Sequence, residues 1–178
     1  KFQNPTNLGL VGYWSMNEGT STQSTTPFAD DYSGNNNKGT LTNMSLPPSS
    51  TSGWANGIRG RALNFDGSND FVEVGTPTSL ANLPAISISA WIFPRSAGEN
   101  NIGRIVGKTT TIGATNGWRF GLNAPGTGLE FQVDYDGADN LSRASNDGFI
   151  TNNQWQHIVM TWTGASAGTS IKFYVNGV

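Results

Sequence analysis

The sequence has no cysteine and a single histidine, and only 12% of its 178 residues are charged. Without cysteine there is no disulfide framework, a lack that disfavours a small secreted eukaryotic domain and is neutral for a bacterial surface protein. With His157 alone, no Ser/His/Asp or Cys/His arrangement has more than one conceivable base, and a multi-histidine zinc site is impossible. Ten Lys and Arg against twelve Asp and Glu give a net charge of −2 and no basic field to hold nucleic acid. No apolar run approaches the roughly 18 to 20 residues of a membrane span. The opening KFQNPTNLGLVGYW lacks a charged leader followed by an apolar stretch, so neither a span nor a signal is expected in the chain as given. Helical periodicity is nearly absent too, because Gly, Pro, Asn or Ser interrupts almost every window long enough to show it.

What is present is aromatic and alternating. Six Trp, nine Phe and four Tyr supply a core within a chain that is only 35% hydrophobic, since each aromatic buries roughly 150 to 250 Å². Strand patterns recur at LVGYWSM (10–16), ALNF (62–65), FVEV (71–74), AISISAWIF (85–93) and RIVGK (104–108), and at 118–122, 129–135, 157–162 and 171–175. The connector DGSND makes ALNF and FVEV read as a hairpin. Many short strands separated by turns predict an all-β fold, a two-sheet antiparallel sandwich or jelly roll. Alternation places Trp14, Phe65, Ile88, Ala90, Phe120, Phe131, Ile158, Met160, Trp162, Phe173 and Val175 between the sheets, and counts Trp91 and Trp155 with the core as well. Solubility must come from Ser, Thr, Asn and Gly, a composition that leans extracellular.

One stretch asks for an explanation: DDYSGNNNKGT (30–40) concentrates carboxylates and amides in eleven residues. Either it is a solvated turn, in which Asn and Gly supply left-handed backbone, or its oxygens converge on a hard cation, which takes six to eight oxygen ligands. Asp31, Asn35 and Asn37 are then the side-chain ligands, with a backbone carbonyl near Gly39 and with Asp66 of FDGSNDF as an additional ligand. The 65–71 stretch reads more simply as a tight turn in which Asp bonds amides two residues on. It is not an EF-hand, because the spacing of that loop is missing.

Taken in order, GLVGYWSMNEG, DYSGNNNKGTL, GRALNFDGSNDFVEV, ISISAWIFPR, RIVGK, WQHIVMTW and IKFYVNGV resemble the laminin-G-type (LamG), concanavalin A-like domains of bacterial surface proteins, and more remotely the pentraxins. The similarity covers the chain from Leu8 on, leaving 1–7 as a linker and 8–178 as one domain. It implies a concanavalin A-like jelly roll, an extracellular or cell-surface location, a role in binding carbohydrate or protein or in adhesion, and a structural calcium. Domains of this kind continue past the YVNGV turn to a final strand beside the first, so this one is expected to lack its C-terminal strand. The edge of Leu10–Met16 should then be paired by another subunit in a homo-assembly, covered by a loop of its own chain, or frayed.

The same resemblance raises a hydrolase alternative. LEFQVDYDGADN puts Glu130, Gln132, Asp134 and Asp136 on one face, and paired carboxylates are what glycoside hydrolysis needs. The Glu-x-Asp-x-x-Glu signature of such glucanases is nevertheless absent, because Gln132 stands two residues after Glu130. The row reads better as a solvated face, with sugar-hydroxyl binding by Asp134 and Asp136 as the remaining use. Among the tryptophans, Trp54 in a Ser/Gly loop and Trp118 after a glycine are the candidates for stacking on sugar. The expected function is a non-catalytic binding module with a glycan or extracellular protein as partner. The alternatives are a glycoside hydrolase or a structural subunit of a surface filament or layer.

Overall fold

The computed structural model describes residues 9–81, 83–108, 117–135 and 139–178, with the side chains of 134, 135, 139 and 140 left aside. No α-helix occurs among them; single 3-10 turns lie at Thr78–Leu80, Glu99–Asn101 and Gly168–Ser170. The fold is all-β, and all strand pairs are antiparallel. It divides into two compact units, Lys1–Asn82 and Leu83–Val178.

The first unit holds β1 (Phe28–Ala29), β2 (Gly39–Thr42), β3 (Gly53–Asn56), β4 (Arg61–Asn64) and β5 (Phe71–Glu73). They form a β1-β2-β5 sheet and a separate β3-β4 pair. ALNF and FVEV therefore do not make a hairpin: β4 pairs back with β3 and β5 pairs with β2, while Asp66 folds the connector into a turn. Phe65 lies just past the end of β4 and is 47% exposed, a correction to its expected core position. The strand expected over Leu10–Met16 is also absent, reduced to an isolated bridge between Trp14 and Asp31.

Ala29, Leu41, Met44 and Trp54 make the core of this unit, with Trp14, Met16, Leu46, Leu63 and Val72 packed on it. Trp54 is 1% exposed, and its indole N–H donates to the Thr26 carbonyl at 2.9 Å. The ring lies so close to Gly19 that a Cβ there would sit 2.1 Å from it. Only glycine leaves room for the indole.

The second unit is a two-layer sandwich. β7 (Arg104–Gly107), β8 (Trp118–Leu122), β9 (Leu129–Tyr135) and β10 (Asp139–Ala144) form one sheet in the order β10-β9-β8-β7. β6 (Ile86–Ile92), β11 (Gln156–Trp162) and β12 (Ile171–Val175) form the other in the order β12-β11-β6. Strict alternation decides which side chains face inward: β11 buries Gln156, Ile158, Met160 and Trp162 and leaves His157, Val159 and Thr161 half-buried on the opposite face. Phe120, Leu122, Leu129, Phe131 and Val133 from the first sheet meet Ile158, Met160, Trp162, Ile171 and Val175 from the second. Phe120 stacks on Phe173 at 6.2 Å and Phe131 meets Trp162 at 5.9 Å, each such pair contributing about 0.5–1.5 kcal/mol beyond its buried area.

The close contact at Trp54 makes a direct test of the first core. Gly19→Ala should lower unfolding free energy by about 1–3 kcal/mol through overpacking, measured by denaturant titration. Gly168→Ala, where an added Cβ meets nothing within 4 Å, should stay within about 0.5 kcal/mol of the parent.

Candidate functional site

The Asp/Asn-rich stretch is a hydrogen-bond hub. Asp31 Oδ1 accepts the Tyr13 and Ser33 amides, each at 2.9 Å, and Oδ2 accepts the Asn37 amide at 2.9 Å and the Ser33 hydroxyl at 2.8 Å. Asn37, 4% exposed, donates its amide to the Val11 carbonyl at 2.7 Å and accepts the Ser79 hydroxyl at 3.0 Å. Asn35 donates to the Leu10 carbonyl at 3.1 Å, and the Trp14 indole donates to the Asn37 carbonyl at 2.8 Å. The backbone of 10–13 is thus held by side chains of a loop of its own chain. Of the three outcomes expected for this edge, cover by a loop of its own chain is the one seen for the Leu10 and Val11 carbonyls and the Tyr13 amide.

This arrangement does not fit calcium. A cation site turns oxygen lone pairs inward, whereas each oxygen of Asp31 already faces two donors, and Asn37 presents its NH₂ to one neighbour and its oxygen to another. Gly39 is engaged in the β1-β2 pairing, and Asp66 Oδ1 accepts the Ser68 and Asn69 amides of its own turn. Among the described residues no three acidic or histidine side chains converge. Burial works to raise the Asp31 pKa, but the bonds from Tyr13, Ser33 and Asn37 together outweigh it and hold the carboxyl below its ordinary value.

On β9 the register sets Gly121 and Ala144 beside Glu130, and Arg119 and Ser142 beside Gln132. Arg119 reaches both side chains, pairing with Glu130 at 3.0 Å and donating to Gln132 at 3.1 Å, while Ser142 donates to Glu130 at 3.2 Å. The expected solvated row is instead a partly covered network: Gln132 is 8% exposed and the Arg119 side chain 14%. Asp134 keeps its place on β9 opposite Asn140, and Asp136 lies outside the described residues.

Neither tryptophan chosen for stacking is displayed. Trp54 is buried, and Trp118 is half-buried against Phe131 at 6.4 Å. The displayed one is Trp91, 47% exposed on the outer face of the β12-β11-β6 sheet, which corrects its expected core position. Its cross-strand partner is His157, with ring centroids 5.3 Å apart. The His157 ring shares a 2.8 Å hydrogen bond with Ser89, the residue two positions before Trp91 on the same face of β6. Ser87, Val159, Thr161, Lys172 and Tyr174 continue this face. The signal was legible, because alternation puts Trp91 opposite Ile88, Ala90 and Ile92; hydrophobicity alone had assigned it inward.

Residues 66–178, more than half of the chain, match the family model of the concanavalin A-like lectin/glucanases superfamily, in its laminin-G form. The chain belongs to that superfamily. No curated protein and no solved structure matches it.

The Asp31 hub carries a pH prediction. Because its pKa is lower folded than unfolded, the carboxylate contributes stability that is fully present above the unfolded value of about 4 and is lost as pH falls through the folded one. Asp31→Asn should therefore cost about 2 kcal/mol near neutrality, where charge-assisted bonds are lost. The gap between the two melting temperatures should narrow in scans taken below about pH 4.

Proposed function

We propose that this domain is a non-catalytic, carbohydrate-binding module of an extracellular protein. The observation that carries the reading is Trp91. An antiparallel sheet face presents nearly half of an indole to solvent, beside a hydroxyl and an imidazole that are already hydrogen-bonded to each other. An indole face takes the C–H side of a pyranose by burying apolar surface, and the adjacent Ser89 and His157 offer a donor and an acceptor to its hydroxyls. The face around the ring carries Ser89, His157, Val159 and Tyr174 and, among the described residues, no carboxylate, which suits a neutral ligand better than a charged one. Ligand recognition through an aromatic platform and a few fixed polar groups is the common pattern of small-molecule sites.

A hydrolase is the weaker reading for a chemical reason. Retaining and inverting mechanisms both need a second carboxylate at a fixed distance from the first. Glu130 is tied to Arg119 and Ser142, and the next position on its face is an amide, Gln132. The extracellular assignment rests on the family resemblance and on the low charge; no helix among the described residues is long and apolar enough to cross a membrane.

A glycan array supplies the ligand, and titration calorimetry with Trp91→Ala supplies the test. The substitution should weaken binding by about 2 kcal/mol or more, roughly 30-fold, as for a central aromatic contact. Stability should move by no more than about 0.5 kcal/mol, because the ring is at the surface. Unchanged affinity in Trp91→Ala, or release of reducing sugar from the bound glycan, would defeat the proposal.

A further inference from the structure

The second unit contains a pocket that the Trp91 face does not use. It opens where the outer strands of the two sheets, β10 and β12, come to the rim of the core, and it has a volume of about 230 Å³. Arg143, Ser145, Asn146, Phe149 and Phe173 line it. Phe149 and Phe173 are half-buried and packed against the core, so they form a fixed apolar floor. Phe173 is held by its stack on Phe120, with the two rings inclined by 9°.

Arg143 supplies the charge. It stands opposite Phe131 in the β9-β10 register, on the inward face of an edge strand, and so extends along the rim. Its Nη1 donates to the Ile171 carbonyl at 2.6 Å and to the Gly168 carbonyl at 2.9 Å, which anchors one end of the guanidinium. No carboxylate pairs with it among the described residues, and its Nε and Nη2 donate to nothing there. A guanidinium has five N–H groups in a rigid fork suited to carboxylate. Nearby, the Asn146 side-chain amide is exposed and makes no hydrogen bond among the described residues.

We propose that this pocket binds a carboxylated sugar residue, a hexuronate. The open side of the Arg143 fork takes the carboxylate in two parallel N–H···O bonds. The C–H face of the ring lies on Phe149 and Phe173, and the Asn146 amide meets ring hydroxyls; Ser145, whose hydroxyl donates to the Asn146 carbonyl and accepts the Leu129 amide, forms the wall. The size limits the occupant to about one ring, since the volume lies below the roughly 300–1,000 Å³ of drug-sized sites. Charge complementarity separates it from the Trp91 face: an unpaired cation over an apolar floor selects an anion with an apolar side. The proposal rests on the reading of the domain as a glycan-binding module and adds to it a second site and a charge class.

The test is a nitrogen-15 chemical-shift titration of the whole chain with methyl β-glucuronide, methyl β-glucoside and acetate. The glucuronide should shift the amides of Arg143, Ser145, Asn146, Phe149 and Phe173 saturably. The glucoside and acetate should bind there about tenfold more weakly or worse, the scale of losing a charge-assisted bond or the stacking surface. Arg143→Gln should abolish the preference for glucuronide over glucoside. Because Arg143 also ties β10 to the Gly168 and Ile171 carbonyls, two further variants guard against a folding artefact. Arg143→Lys, which keeps the charge but not the fork, should lose most of the preference, and Phe149→Leu should weaken both sugars while leaving the preference intact. Equal binding of glucuronide and glucoside, equal binding of acetate, or shifts confined to other residues would overturn the pocket assignment. Shifts around Trp91 with no saturable shift at the pocket residues would overturn it while leaving the module reading in place; silence from both sugars together with a blank glycan array would remove both.

Discussion

A backbone N–H or C=O taken out of water has to find a partner, and in this chain side chains supply many of the partners that strands do not. An orphaned buried polar group costs about 1–3 kcal/mol, so short strands and long loops survive only where something completes the account. Asp31 does this for the amides of Tyr13, Ser33 and Asn37, and Asn37 and Asn35 do it for the carbonyls of Val11 and Leu10. In the second unit Gln156, 5% exposed, both donates to the Thr151 carbonyl and accepts its amide, and Asn176 accepts the His157 amide. Arg143 donates to two carbonyls at the β12 side of the sandwich. The abundance of Asn, Ser and Thr follows from this constraint as much as from solubility.

The same constraint connects fold to function. Amide and hydroxyl side chains that finish the backbone bonding keep loops ordered without charge, which leaves surfaces of small polar groups on which an aromatic ring stands out. Trp91 is such a ring: its inward neighbours Ile88 and Ala90 pack on the core, and the period of two forces it to the other face. A sheet face braced from behind by a close-packed core holds its side chains in register, the preorganisation on which the proposed glycan site draws.

Strand patterning made the fold class legible, and in the second unit also most of the register. Phe120, Phe131, Ile158, Met160 and Trp162 face inward because each sits in a run of strict alternation long enough to define two faces. The first unit was less legible, since its strands have two to four residues, too few for a period to show. Phe65 and the presumed hairpin failed there, because partner choice is set by tertiary packing that a four-residue pattern does not encode. The loop at 30–40 was recognisable as special, but its composition suits a cation and a set of backbone donors equally. Which one holds depends on where the amides of residues 13, 33 and 37 point, and no residue type records that. Arg143 was not legible, because a lone arginine in a strand becomes informative only once the structure shows its backbone partners and no ion pair for it among the described residues.

The most direct test of this account is native-state amide hydrogen exchange on the whole chain in chelator-treated, calcium-free buffer, read at Tyr13, Ser33 and Asn37. These three amides point at one carboxylate rather than at a strand partner or a metal-organised loop. The account predicts that all three are protected together without any cation and that added calcium leaves their rates unchanged. Exchange at the rate of an unstructured peptide in calcium-free buffer, with protection appearing only on addition of calcium, would contradict it.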